Sequence, residues 1–315
     1  MGPNTIRPRF SPAWLAVAFV AASFLHPRRP AAQGLPGEIA GHKVPVPGAK
    51  VEGTTAKLSE VEAEMVAGMA PQPQAERLLQ YAISHHLGAT EEIKARVRSW
   101  HGAIKSTAAL ETLLDVARNG DDLRVRAAAI EIELAAMNIG KTSSQVDALL
   151  QPIAARPKEA RSEIYLLGLL ANRGVDTDRI HHELRVLTHS EEWLVRYQAY
   201  SAIANIGTDE TVGDLVEGFH HDPSPAVRIN SGGCGLAHCG MLTRAQRMLA
   251  VPGLIEMVED KTLDKLDVSY GYRALREITD ETLPDNAQQW RDWYGAHGAE
   301  TTNTFRRFED GRRPY

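Results

Sequence analysis

The chain has 315 residues, 43% hydrophobic and 24% charged, with a formal net charge of −5; that balance excludes a wholly disordered polypeptide. A mildly acidic protein lacks the net attraction to phosphates from which nucleic-acid affinity comes, so no nucleic-acid partner is expected. Two cysteines cannot staple a fold of this size, and only 6% of the residues are aromatic, so the core is expected to be hydrophobic and built by packing helices through small and aliphatic side chains.

In chain order, Arg7 and Arg9 precede the apolar run Ala13–Leu25. At 1.5 Å per residue that run covers roughly 20 Å of the ~30 Å hydrocarbon core. Residues 1–33 therefore read as a secretory signal, with Ala31-Ala32-Gln33 or Ala21-Ala22-Ser23 at the cleavage site. Arg28 and Arg29 just after the run resist export, which keeps an uncleaved N-terminal anchor, or a start codon set too early, as alternatives. Only an anchor would bring a membrane partner. Residues 34–58, rich in Pro, Gly and Val without a period, read as a flexible linker. The expected location is periplasmic or secreted.

From residue 59 to 298 the pattern becomes amphipathic segments of 10–17 residues separated by Gly, Pro, Asn and Asp. Ser59-Glu60-Val61-Glu62 and Thr142-Ser143-Ser144-Gln145 fit capping boxes. Pro157 is expected in a first helical turn, and Gly88, Gly140, Gly174 and Gly207 just past helix ends. No stretch alternates with period two, so the chain is expected to be all-α.

Arg126, Arg161, Arg196 and Arg228 recur at steps of 35, 35 and 32 residues. Each is expected early in the second helix of a pair, after first helices such as AALETLLDVA, VDALLQPIAA and ETVGDLVEGF. A two-helix unit of that length cannot bury its apolar face alone, whereas stacked copies can. The expected architecture is an α-solenoid, a superhelix of antiparallel helix pairs in which the four arginines form a structural ladder between units.

Asp222-Pro223 followed by Ala226-Val227-Arg228, and Glu191 to Arg196 with Ala199 and Ala202 behind it, resemble the HEAT-repeat family in its short bacterial form, related to the repeats of phycobilisome lyases. The last unit (VPGLIEMVEDKTLD…YRALREITDETL…WRDWY) is similar to the terminal unit of exported bacterial HEAT proteins. The resemblance covers roughly Glu91 to His297. It implies a HEAT-like solenoid and is nearly silent on function, since such arrays serve many tasks. The last unit departs from the pattern by a longer loop, Lys261 to Asp267. Trp290 and Trp293, three apart on one helical face, are expected to cap the open end; a platform for sugar or peptide is the alternative. Residues 299–315, with four arginines, read as a disordered tail.

The local anomaly is Ser231-Gly232-Gly233-Cys234-Gly235, set where the repeat demands a helix. Three interior glycines cost roughly 3 kcal/mol relative to alanine, so the segment marks either close packing or a site. Cys234, His238 and Cys239 are the candidate metal ligands. Cys234 and His238 share a helical face, while Cys234 and Cys239 diverge by ~140° on an α-helix. A local disulfide is the other possibility if the helix is broken there. The histidine pairs His85-His86, His181-His182 and His220-His221, with His189, are read as exposed turn residues or as a pH-sensitive edge. The His–Glu dipeptides required by the di-iron HEAT enzymes are reduced here to His182-Glu183.

No nucleophile elbow, H-E-x-x-H helix, phosphate loop or dinucleotide fingerprint occurs in the sequence. No cofactor is expected. The leading expectation is a non-catalytic scaffold in the cell envelope, with another protein bound along the groove of the first helices. The alternatives are a lyase or isomerase related to bilin-lyase HEAT proteins, using that groove as a pocket, and a metal or redox sensor at Cys234, His238 and Cys239.

Overall fold

The computed structural model describes residues 57–120 and 122–298, all within one unit, Glu52–Tyr315. The signal or anchor at 1–33, all but the last two residues of the linker at 34–58, and the tail at 299–315 lie outside the described residues. The described residues are helical, with no strand among them and a single isolated bridge between Lys57 and Leu87.

In order the helices are α1 (Glu60–Ala67), α2 (Pro71–Ile83), α3 (Ala89–Trp100), α4 (Ala108–Asn119), α5 (Leu123–Ala136), α6 (Ser143–Ala155), α7 (Arg161–Asn172), α8 (Thr177–Leu187), α9 (Trp193–Ile206) and α10 (Glu210–His221). The short α11 (Pro225–Val227) runs into two π-helical stretches, Arg228–Gly233 and Gly235–Cys239. Then come α12 (Arg244–Met248), α13 (Val251–Glu259), α14 (Lys265–Thr279) and α15 (Ala287–His297).

Local chemistry sets many of these ends. Ser59 and Glu62 form a reciprocal capping box on α1, whereas Thr142 caps α6 through the Gln145 amide alone. Gly174 and Gly207 follow α7 and α9 with φ of +78° and +76°, the left-handed turn that frees a chain from a helix without a Cβ penalty. Three expectations shift. Gly88 starts α3 rather than ending α2. Asn138, at φ +55°, takes the turn after α5, leaving Gly140 in the loop. Pro157 is not in a helix: it stands second in the turn closed by the Glu159 amide on the Arg156 carbonyl, where its fixed φ is favourable.

The helices pack in consecutive pairs: α2 with α3, α4 with α5, α6 with α7, α8 with α9, α10 with the first π-helical stretch, and α13 with α14. Second helices also pack on one another, α3 on α5 and α7 on α9. This order is compatible with an α-solenoid. Several side chains reach the next pair at separations of 31 to 33 residues: Thr107 to Glu76 (31), Arg179 to Asp147 (32), Tyr165 to Glu133 (32) and His181 to Asp214 (33); His220 to Asp260 spans 40. The first helices are amphipathic, burying Leu110, Leu114 and Ala117 in α4, and Ile180 and Leu184 in α8. The second helices α5, α7 and α9 are covered nearly all round, as in α7 from Leu166 to Ala171, whereas α3 and α14 keep exposed faces.

Arg126, Arg196 and Arg228 share one setting. Each donates to the carbonyl six residues before it: Gly120, Ser190 and Asp222. Arg196 also grips Asp222 with Nε and Nη2 at 2.7 and 2.9 Å, and Arg228 Nη2 meets Asp267 Oδ2 at 2.5 Å. These carboxylates belong to later pairs, so the arginines join pair to pair. Arg161 is no member of this ladder. It is exposed and is the first residue of α7, while the other three stand fourth from the start of their helical segments, so the matching place in α7 is the buried Ile164. The even 35-residue step to Arg161 is a coincidence of charge against the true register. Asp267, assigned to a loop by the sequence, lies buried in the first turn of α14.

Two hydrophobic cores meet at α5. Its Val125, Ala128, Ala129, Ile132 and Ala135 face α2, α3 and α4, where Trp100 donates to Gln74 Oε1 at 2.8 Å. Its Leu123, Ile130 and Leu134 belong to the larger core that runs to Trp290. Two positions of α5 reach α7: Glu133 meets Tyr165 in its second turn, while Glu131 meets Arg173 just past the last turn. At its other end α5 sends Arg126 Nη1 to the Gly240 carbonyl, 2.8 Å away and 114 residues distant in sequence. Strict nearest-neighbour stacking would not make that contact. Trp290 is fully buried, with Nε1 on the Pro284 carbonyl at 3.0 Å, and Trp293 packs edge-on against it.

Candidate functional site

The glycines around Cys234 allow an unusually close approach of three helices. A Cβ on Gly232 would lie 2.5 Å from the Phe219 amide nitrogen in α10, and one on Gly235 would lie 2.7 Å from the Ala204 Cβ in α9. No side chain fits in either place. The same segment winds as a π-helix, whose hydrogen bonds join residues i and i+5, a form that recurs at functional sites. On an α-helix, Cα atoms five residues apart are about 8.7 Å apart by its radius and rise. Here Cys234 and Cys239 have Cα atoms 5.1 Å apart, and their sulfurs are joined as a disulfide. The ~140° divergence expected of an α-helix is thus corrected by the wider winding, which brings the two cysteines one above the other.

His238 completes the group. Its Nε2 is 3.8 Å from Cys234 Sγ and its Nδ1 is 3.1 Å from Glu277 Oε2 of α14. Arg273, one turn earlier on α14, donates Nε to the other Glu277 oxygen at 2.7 Å. Burial pushes the Glu277 carboxyl up, but the hydrogen bonds from His238 and Arg273 outweigh it and hold the group at about 2. The ligand atoms of Cys234, His238 and Cys239 all lie within 4.8 Å of one another. All three candidate ligands come together, with Cys239 and His238 exposed and Cys234 half-buried.

The end of the π-helical segment is a junction. The Ala237 carbonyl accepts Arg247 Nη1 at 2.9 Å, and the Gly240 carbonyl accepts Arg126 at 2.8 Å. The Met241 amide donates to the Ala204 carbonyl at 2.8 Å. Two guanidinium groups thereby sit at the negative end of the helical dipole, the favourable place for cations. Elements α5, α9 and α12 all grip this one turn.

The histidines lie elsewhere and bridge helices. His181 Nε2 meets Asp214 at 2.5 Å and His220 Nε2 meets Asp260 at 2.9 Å, both partly buried, while His220 stacks on His221 at 3.7 Å. His189 rests on the Thr188 hydroxyl. A triad around the buried Glu133 has no signal in the sequence: Arg118 Nη1 donates to both Glu133 oxygens at 3.0 and 3.1 Å, and the Tyr165 hydroxyl donates to Glu133 Oε2 at 3.0 Å. Its members are separated by 15, 32 and 47 residues, so no local signal marks them. Comparison with known proteins gave no match: no family model, no curated protein and no solved structure is similar to this chain.

Proposed function

We propose that this chain is a non-catalytic helical scaffold of the HEAT-like α-solenoid kind that binds another protein, and that the Cys234–Cys239 pair sets its shape according to thiol redox state. The observation that carries the reading is the placing of a covalent thiol pair inside a π-helical turn gripped at once by α5, α9 and α12. Opening that bond removes the covalent tie between i and i+5, so the turn is free to rewind and shift the carbonyls its neighbours hold. A protein-binding role draws support from the face of the first helices. Between α2 and α4 lies an open groove in which Met69, Pro73 and Leu113 adjoin Glu76, Arg77 and Gln80, the mixture of apolar floor and charged rim typical of protein interfaces. Disulfides persist in oxidising compartments, which agrees with the export signal proposed for residues 1–33.

Hydrogen exchange on the oxidised chain, the reduced chain and the Cys234→Ser/Cys239→Ser variant tests the switch. Reduction is expected to speed exchange through Arg228–Met241 and in α5 near Arg126, and the variant should match the reduced chain in either condition. Identical exchange in all three states would end the redox reading. For the scaffold, cross-linking in the native envelope should enrich one protein with the wild type and lose it with Leu113→Glu. If no protein is enriched at any salt concentration, the enzyme alternative gains. N-terminal sequencing of the protein from a periplasmic extract checks export, with a start near Gly34 expected.

A further inference from the structure

His238 is oriented for more than a contact with sulfur. With Nδ1 committed to Glu277, and Glu277 anchored by Arg273, a neutral imidazole carries its free lone pair on Nε2. That is the atom facing Cys234 Sγ at 3.8 Å. A carboxylate behind the remote ring nitrogen is the usual support of a metal-bound histidine. Tetrahedral zinc, with bonds of about 2.3 Å to sulfur and 2.0 Å to nitrogen, sets neighbouring ligand atoms roughly 3.5–3.8 Å apart. Cys234 Sγ and His238 Nε2, 3.8 Å apart, already hold that spacing, and Cys239 Sγ, bonded to Cys234 in the disulfide, takes its own corner once that bond opens.

We infer that the dithiol form binds one soft metal ion of the zinc(II) class through Cys234 Sγ, Cys239 Sγ and His238 Nε2, with Glu277 as the positioning group and the fourth corner open to solvent. Two sulfurs and an imidazole suit such an ion and not the oxygen-seeking calcium or magnesium. The half-exposed His238 side chain, at 48%, leaves the ion a path from solvent. This inference rests on the reading of the thiol pair as reducible. An external dithiol supplies two electrons and two protons and leaves as its own disulfide. The metal dication then displaces both thiol protons to solvent, forming two metal–sulfur bonds.

The test is a titration of the full chain, prepared reduced and kept anaerobic, with cobalt(II) and then zinc(II), beside a count of free thiols. One cobalt per chain is expected, with thiolate-to-cobalt charge transfer that zinc bleaches. Cys234→Ser and Cys239→Ser should each weaken that band, and the double variant should lose it while keeping a helical circular-dichroism spectrum. Glu277→Gln should keep the band and bind about 10- to 100-fold more weakly. Two free thiols without a cobalt band would overturn the metal site and leave the thiol switch standing. A cobalt band in the reduced chain, with hydrogen exchange that is the same for the oxidised and the reduced metal-free chain, would overturn the switch and uphold the metal site. A band unchanged in the double variant would place the ion elsewhere and overturn the assignment.

Discussion

Glu133 sits in a place where an ionised carboxyl is costly. Burial raises it above the ordinary glutamate value, opposed by Arg118 and the Tyr165 hydroxyl. Arg118→Met keeps much of the side-chain volume and removes the cation, so the charge left behind is uncompensated. The expected loss is about 2–3 kcal/mol at neutral pH, below the range for a fully buried pair because Arg118 is one-third exposed. The sign of the pH effect follows from the raised value. A carboxyl whose folded pKa lies above its unfolded one favours the fold at low pH and loses that contribution as pH rises through the folded value. Urea denaturation should show the deficit of Arg118→Met widening from pH 4 to pH 7; a constant deficit would mean that Glu133 does not carry the charge. The contrast with the arginine ladder is instructive about what a sequence displays. Arg196 and Arg228 could be found because each stands fourth in its helical segment, 32 residues apart. Arg118, Glu133 and Tyr165 resemble ordinary surface residues until the chain folds.

Helices and their ends were largely legible, because caps act over three or four residues: Ser59 and Glu62 announced α1, and Gly174 and Gly207 closed α7 and α9. The π-helical turn was not legible, since its winding depends on what lies across from it. The sequence did mark the place, through glycines that only a tight approach or an irregular backbone would tolerate. Gly232→Ala should cost about 1–3 kcal/mol, because a methyl must displace the α10 backbone at Phe219. Gly295→Ala is the control: it is exposed in α15, nothing lies within 4 Å of the added carbon, and a gain of up to ~1 kcal/mol is expected from helix propensity. Melting temperatures of the two variants should move in opposite directions. Equal melting would show that the approach to Phe219 is looser than described.

The two cores share α5 as a wall, and Arg126 ties that wall to the turn after the disulfide. Long-range ties of this kind are invisible in a repeat pattern, which speaks only of neighbours. Arg126→Met should therefore uncouple the molecule more than it unravels any helix. Hydrogen exchange is expected to quicken in α2 to α4 at lower denaturant than in α7 to α9, and the wild type is expected to open both together. Loss of protection confined to the residues next to position 126 would contradict a coupling role.

The same tie has a bearing on how such a chain can evolve. An α-solenoid, with which this order of helices is compatible, ordinarily lengthens by copying a module, and each copy is tolerated because it meets only its neighbours. Here a duplicate inserted between α6 and α9 would carry Gly240 away from the guanidinium that holds it. The contact acts as a caliper on the helices between, so their number is held by the reach of one side chain.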